Sequence, residues 1–182
     1  GAPDMEIDTL VEASPGSNGV LQRLTRVRLE NGVEVSVTPD GEALLVAPVN
    51  RVLRYGTNII VRTIDTPEGP VEYWRKVTMR VTSYTATSAG KNPGEPGYGI
   101  TASGVQAGTG VIAVDPTVIP FRSYVYVPGY GVAFAGDTGG GIKGRFVDLG
   151  YDEGQFKSWR GTVDVYYLGP PPPAEDIRWI LP

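Results

Sequence analysis

From Asp137 to Asp148 the chain reads DTGGGIKGRFVD, two carboxylates bracketing a triple-glycine turn and one lysine. The chain has no histidine and no cysteine. That excludes Ser-His-Asp and Cys-His nucleophiles, HExxH zinc sites, thiolate metal ligation and thiol redox chemistry. What remains is acid/base work by carboxylates, an activated Lys or Ser, an oxygen-ligand cation site, or no catalysis at all. On a strand running into Asp137, alternation puts Ala133, Ala135 and Asp137 on one face and Val132 and Phe134 on the other, and small residues beside a carboxylate leave room for a ligand. After the turn, Phe146 and Asp148 share a face while Val147 points to the core. If the two strands are neighbours the carboxyl groups come close. Like charges at short range resist ionising together, so one carboxyl gains a raised pKa and can donate a proton near neutral pH, as protonation of a glycosidic oxygen requires.

Three other motifs dissolve on inspection. Asp-Thr-Gly is the signature of aspartic proteases, but their dyad needs two copies and the chain has one, at Asp137. Ser88-Ala89-Gly90-Lys91 matches the S-x-x-K of penicillin-recognising enzymes, yet the glycine within it and KNPG across its end deny the helix that aligns those groups. GGGIKG is not a phosphate-binding P-loop, because Ile142 separates the glycines from Lys143 and no Ser or Thr follows.

The elements that must position these residues are strands. Among 182 residues, 25 glycines and 16 prolines accompany 41% apolar residues spread throughout, the composition of a folded, turn-rich, all-β protein. Short β-branched or alternating runs lie at 25–29, 33–37 and 43–46, and Asn31-Gly32 between the first two predicts a hairpin over 25–37. Arg23, Arg26 and Arg28 are expected on the outer face of a strand. Another strand is expected at 57–63, a turn at 65–70 and a long strand over 71–85. Glycine-punctuated strands follow at 110–114, 123–127, 131–135, 144–149 and 162–168. One short helix is expected around 152–159, with Asp152 as its cap. Residues 170–173 are a stiff polyproline segment, and the apolar tail 177–181 should dock back onto the fold. This divides the chain into a small β domain (1–75), a barrel-forming domain (76–169) and a proline-rich tail (170–182).

Acidic residues outnumber basic ones by 20 to 16 and the basic ones are scattered, so no nucleic-acid partner is expected. No apolar run approaches the roughly 20 residues that span a bilayer, and no signal peptide opens the chain. Its GAPDME start leaves room for an export signal or anchor upstream.

Four pieces in order, TSYTATSAG at 82–90, TASG at 101–104, VIAVDPTVIP at 111–120 and VPGYGVAFAGDTGGGIKGRFVDL at 127–149, resemble the three-aspartate domain of bacterial cell-wall proteins, and WRGTVDVYYL at 159–168 resembles its last strand. That domain is similar to the barrel of the membrane-bound lytic transglycosylase A family and of spore-former stationary-phase muralytic proteins. The resemblance implies an all-β fold, a six-stranded double-psi β-barrel preceded by a small β domain. It makes Asp115, Asp137 and Asp148 the name-giving aspartates, with Asp148 as general acid/base and the other two as supporting carboxylates. Residues 16–20 (GSNGV), the hairpin with ENGVEV, Pro48-Val49 and RVLRYGT at 51–57 resemble the five-glycine domain that often precedes it.

The implied activity is a lytic transglycosylase: one acid protonates the oxygen between N-acetylmuramic acid and N-acetylglucosamine, and its carboxylate then helps the muramoyl 6-hydroxyl close on C1. The implied partner is the peptidoglycan glycan strand, at an extracellular or wall-associated location, with no cofactor and no metal. Lys143, Thr138, Thr101, Tyr130 and Tyr84 are the candidate substrate contacts, and Trp159 offers a further aromatic face. The competing expectation is a non-catalytic wall-binding or expansin-like module, since fold does not fix function.

Overall fold

In the computed structural model, which describes residues 1–89 and 92–182, twelve strands carry the fold: β1 (Ala2–Glu6), β2 (Leu10–Ser14), β3 (Val20–Glu30), β4 (Val33–Val46), β5 (Val52–Asn58), β6 (Arg62–Thr66), β7 (Gly69–Thr85), β8 (Val111–Val114), β9 (Tyr124–Val127), β10 (Gly131–Asp137), β11 (Phe146–Tyr151) and β12 (Thr162–Leu168). Gly90 and Lys91, the end of the S-x-x-K match, lie outside the described residues. The chain divides into two compact units, one of Gly1 with Thr9–Tyr55 and the other of Ala2–Asp8 with Gly56–Pro182.

The first unit is dominated by the hairpin of β3 and β4, paired from Val20↔Val46 to Glu30↔Val33. Its turn is Asn31-Gly32 with φ of 51° and 81°, the left-handed pair that matches strand twist in a two-residue turn, which is why Asn-Gly could be read from sequence alone. The hairpin runs well past the expected 25–37. Every residue of both strands is exposed, and the ion pairs Arg23–Glu42 and Arg26–Asp40 lie in solvent, where such pairs add at most about 1 kcal/mol. β2 pairs antiparallel with β5, Leu10 opposite Tyr55.

In the second unit six strands close into a barrel in the ring order β7-β11-β8-β10-β9-β12, with β6 hairpinned onto the start of β7. The closing contact is the parallel pairing of β11 with β7, Phe146 opposite Arg80 through Tyr151 opposite Thr85. A closed ring leaves no sheet edge exposed. Its interior is filled by the inward residues of each strand: Met79 and Val81, Ile112 and Val114, Val125 and Val127, Ala133 and Ala135, Val147 and Leu149, Val165 and Tyr167. All are 1% exposed or less. The tail docks as expected, with Ile177 and Leu181 joining this core.

Arg75 ties the unit's extremities to β7. Only 3% exposed, its guanidinium grips both carboxylate oxygens of Asp8, Nε to Oδ2 at 2.8 Å and Nη2 to Oδ1, and Nη1 donates to the carbonyl of Arg178 at 2.9 Å.

Two expected elements differ. The strand read over 57–63 is the end of β5 and the start of β6 with a break at residues 59–61, because an apolar β-branched run reads as a strand even where, as at Ile60 and Val61, it is an exposed crossing between two. The helix read around 152–159 is a single 3-10 turn over Glu153–Gln155, and Asp152 occupies the cap position without a side-chain cap bond. Gly154 and the turn residues around it leave too little helical propensity to propagate a longer element.

Candidate active site

The three aspartates lie immediately after β8 (Asp115), at the end of β10 (Asp137) and on β11 (Asp148). Asp148 on β11 and Asp137 at the end of β10 do not sit on neighbouring strands as expected: β8 lies between them, and both pair in register with Ala113. Two inter-strand spacings put their Cα atoms roughly 10 Å apart. The side chain between them is a methyl group, so the two carboxyls face each other over a low divider.

The face of Asp137 also differs from expectation. Ala133 and Ala135 point into the barrel core, but the pairing of β10 with β8 slips between Ala135 and Asp137, a bulge at Gly136. One extra residue reverses the side to which the strand's following side chains point. Asp137 therefore emerges with Ala113 on the opposite side, where Tyr84, Ile142 and Phe146 pack around that alanine. The small side chain beside the carboxylate is that of Ala113, not of Ala133 or Ala135.

The two carboxyls have unlike surroundings. Asp137 accepts three hydrogen bonds: the amides of Ala102 at 3.0 Å and Thr138 at 2.9 Å on Oδ1, and the Tyr84 hydroxyl at 3.1 Å on Oδ2. Asp148 accepts one, from the Thr82 hydroxyl to Oδ1 at 2.6 Å. Burial pushes the Asp148 carboxyl above the usual carboxylate range and the nearby Asp137 charge adds to this, while the Thr82 hydroxyl pulls the other way. Asp115 is different again. At 8% exposed, it takes the Gly144 amide on Oδ2 at 2.7 Å and the Thr117 amide and hydroxyl on Oδ1 at 2.9 and 2.8 Å. The Gly144 and Thr117 amides hold it below the usual range, with smaller help from the Lys143 charge. Its bonds pin the glycine turn that precedes β11.

The other candidates are distributed unevenly. The Tyr84 ring is buried and its hydroxyl, pushed upward by burial and then by the Asp137 charge, bridges toward Asp137. It reaches across Gly150, where any Cβ would come within 2.4 Å of the Val111 carbonyl and 3.4 Å of the Tyr84 ring. Thr138 and Lys143 are exposed on the turn. Thr101 is buried, donating to the Val105 carbonyl at 2.8 Å and sharing a bond with Ser103 at 3.1 Å. Tyr130 donates to the Gly150 carbonyl at 2.6 Å and accepts from the Gly110 amide at 2.7 Å, its pKa pushed up to about 12 chiefly by burial. Trp159 donates from Nε1 to the Tyr151 hydroxyl at 2.7 Å and packs on the core. The structure thus brings Asp148, Asp137, Tyr84 and Thr138 together around Ala113 and ties Thr101, Tyr130 and Trp159 into the framework.

Two contributors went unread in the sequence. Thr82 reaches Asp148 only because β7 and β11 pair in parallel with Thr82 opposite Asp148. The alternation of Thr82 and Tyr84 in TSYTAT carried the signal, but not its partner. Arg80, two residues before Thr82 on the same face, lies over the Phe146 ring at 3.8 Å from its centroid. Among the described residues, no group of three or more carboxylates could hold a metal ion.

Residues 110–169 match the 3D domain and residues 2–58 match the G5 domain, so the chain carries both. The cell wall-binding protein YocH of Bacillus subtilis (strain 168) is 46% identical over 79 residues, 41% of this chain and 25% of its own length. The putative cell wall shaping protein YabE of the same organism is 44% identical over 81 residues, 42% of this chain and 18% of its own length. The chain spans a quarter or less of either relative.

Proposed function

We propose that the barrel is a lytic transglycosylase that cleaves peptidoglycan glycan strands with Asp148 as its single acid/base, acting outside the cell or in the wall. The observation that carries this reading is the asymmetry across Ala113: Asp137 accepts hydrogen bonds from three donors, whereas Asp148 is half-buried, close to Asp137, with one donor, and burial raises its pKa. Thr82 occupies Oδ1, so the acid's proton resides on Oδ2. That proton passes to the glycosidic oxygen as the bond from muramoyl C1 breaks. The Asp148 carboxylate then takes the proton of the muramoyl 6-hydroxyl, whose oxygen bonds to C1 and closes the 1,6-anhydro ring. No water and no second nucleophile enter.

In this reading Asp137 and Tyr84 tune the acid, Asp115 holds the turn, and Thr138, Lys143 and Arg80 meet the substrate. Thr101 and Tyr130 act as framework. The test is digestion of purified peptidoglycan with mass analysis: products lighter by one water than hydrolase products are expected from the wild type and absent with Asp148→Asn. Products of hydrolytic mass, or none, reject the reading. The name of the relative matched over 79 residues favours a second one, a barrel that binds wall polymer without cleaving it. Sedimentation with wall sacculi by both wild type and Asp148→Asn, with no product from either, would establish that alternative.

A further inference from the structure

Away from the aspartates, a cavity of about 330 Å³ opens beside the start of β7, lined among others by Glu6, Asp8, Arg62, Tyr73, Arg75 and Lys76. Tyr73 precedes Thr82 by nine residues of one strand, roughly 30 Å at about 3.3 Å per residue. The cavity is therefore remote from Asp148.

Its polar lining is held rigid. Arg62 meets Glu6 fork to fork, Nη1 to Oε1 and Nη2 to Oε2 at 2.9 Å. The buried Arg75 meets Asp8 in the same bidentate way. Lys76 lies 3.4 Å from Asp164. Each cation has a carboxylate, so the site is rich in charge but nearly neutral. Ionised carboxylates can accept about four hydrogen bonds and a guanidinium can donate five, so the half-exposed Arg62–Glu6 fork retains both kinds of capacity, and Asp8 retains capacity to accept, while the buried Arg75 guanidinium is spent on Asp8 and the Arg178 carbonyl. The Tyr73 ring is fixed by an edge contact with Tyr166, centroids 4.9 Å apart at 84°.

We propose that this cavity is a second saccharide-binding site, taking an uncharged N-acetylated sugar of the wall glycan; the inference rests on the reading that the chain works on that glycan. A sugar ring presents hydroxyls that both donate and accept, together with a C–H face suited to an aromatic ring, and it needs no ion pair broken. An anion would meet Glu6 and Asp8. An apolar ligand would strip water from two ion pairs and return no hydrogen bonds. Because the forks fix the side chains beforehand, little rotamer freedom is lost on binding. Two sugar sites on one unit would hold a strand near Asp148 through effective concentration.

The probe is tri-N-acetylchitotriose, titrated into the full chain by calorimetry and by amide chemical shifts. The expected result is saturable binding with shifts at Tyr73 and Arg62, unaltered by Asp148→Asn. Tyr73→Ala and Arg62→Gln should each weaken it by roughly tenfold while circular dichroism stays that of the wild type. Affinity should change little with added salt, because the ligand carries no charge. No saturation, equal affinity in both cavity variants, or shifts confined to the Asp148 face would overturn the site. Binding here in a protein that yields no anhydro product leaves the cavity standing and sinks the catalytic reading; anhydro product without binding here does the reverse.

Discussion

At the scale of single residues, protonation chemistry separates the three aspartates. If Asp148 is the acid, Asp148→Asn should lower anhydro-product release by about 10²-fold to 10⁴-fold, read by mass analysis. The same change should leave the fold at least as stable at pH 7. The folded-state pKa of Asp148 is raised above the unfolded value, so stability is fullest below the unfolded pKa and is lost as pH rises through the folded one; the amide escapes that loss. A lower melting temperature for Asp148→Asn at pH 7 would contradict this. The neighbours should move the alkaline limb of the pH-rate profile in opposite directions. Removing the negative neighbour with Asp137→Asn lowers the Asp148 pKa and shifts the limb down. Thr82→Val removes the hydroxyl that favours the anion and shifts it up, and Thr82→Ser restores it. Parallel shifts from the two variants would exclude Asp148 as the titrating group. Asp115 titrates with the reverse sign. Its folded pKa is lowered, so its contribution is present above the unfolded pKa and is lost as pH falls through the folded one. Much of this was legible in the residue types, because a chain lacking His and Cys leaves carboxylates as its acids. Thr82 was not, since a hydroxyl acquires meaning only from the strand laid beside it.

At the scale of elements, local rules read well and non-local ones did not. Asn31-Gly32 announced its hairpin because the turn's dihedrals are set by the two residues themselves. The insertion of β8 between β10 and β11 has no local signature, and neither has the bulge at Gly136 that redirects Asp137. Alternation assumes an unbroken pleat, and a single slipped residue defeats it. Two substitutions test this architecture. Ala113→Leu raises the divider between the carboxyls and should reduce turnover strongly while leaving the barrel folded, because its side chain points out of the main core. Gly150→Ala drives a Cβ toward two backbone carbonyls, Val111 at 2.4 Å and Gly108 at 2.7 Å, which cannot yield as side chains do. It should destabilise the fold by about 1–3 kcal/mol in denaturant titrations, as overpacking does. An Ala113→Leu protein with full turnover would mean that the carboxyls do not work across that residue.

At the scale of the whole molecule, the two compact units differ in what holds them. None of the described residues of Thr9–Tyr55 is buried, whereas the six-stranded ring encloses a buried apolar core. Hydrogen exchange should register the contrast: amides of β3 and β4 are expected to exchange at low opening energies, and those of β7, β8 and β11 only at global unfolding. Uniform protection across both units would refute that ranking. The Arg75 clasp has a mechanical consequence as well. It joins Asp8 and the carbonyl of Arg178, near the two ends of the barrel unit, to one guanidinium. Tension applied between residues 8 and 178 falls directly on this one guanidinium. The parallel register of Ala2 with Gly56 and Glu6 with Asn58 lies alongside the same segment and is sheared, not unzipped. Arg75 is thus placed as a link whose parting would free both segments without opening the ring of strands.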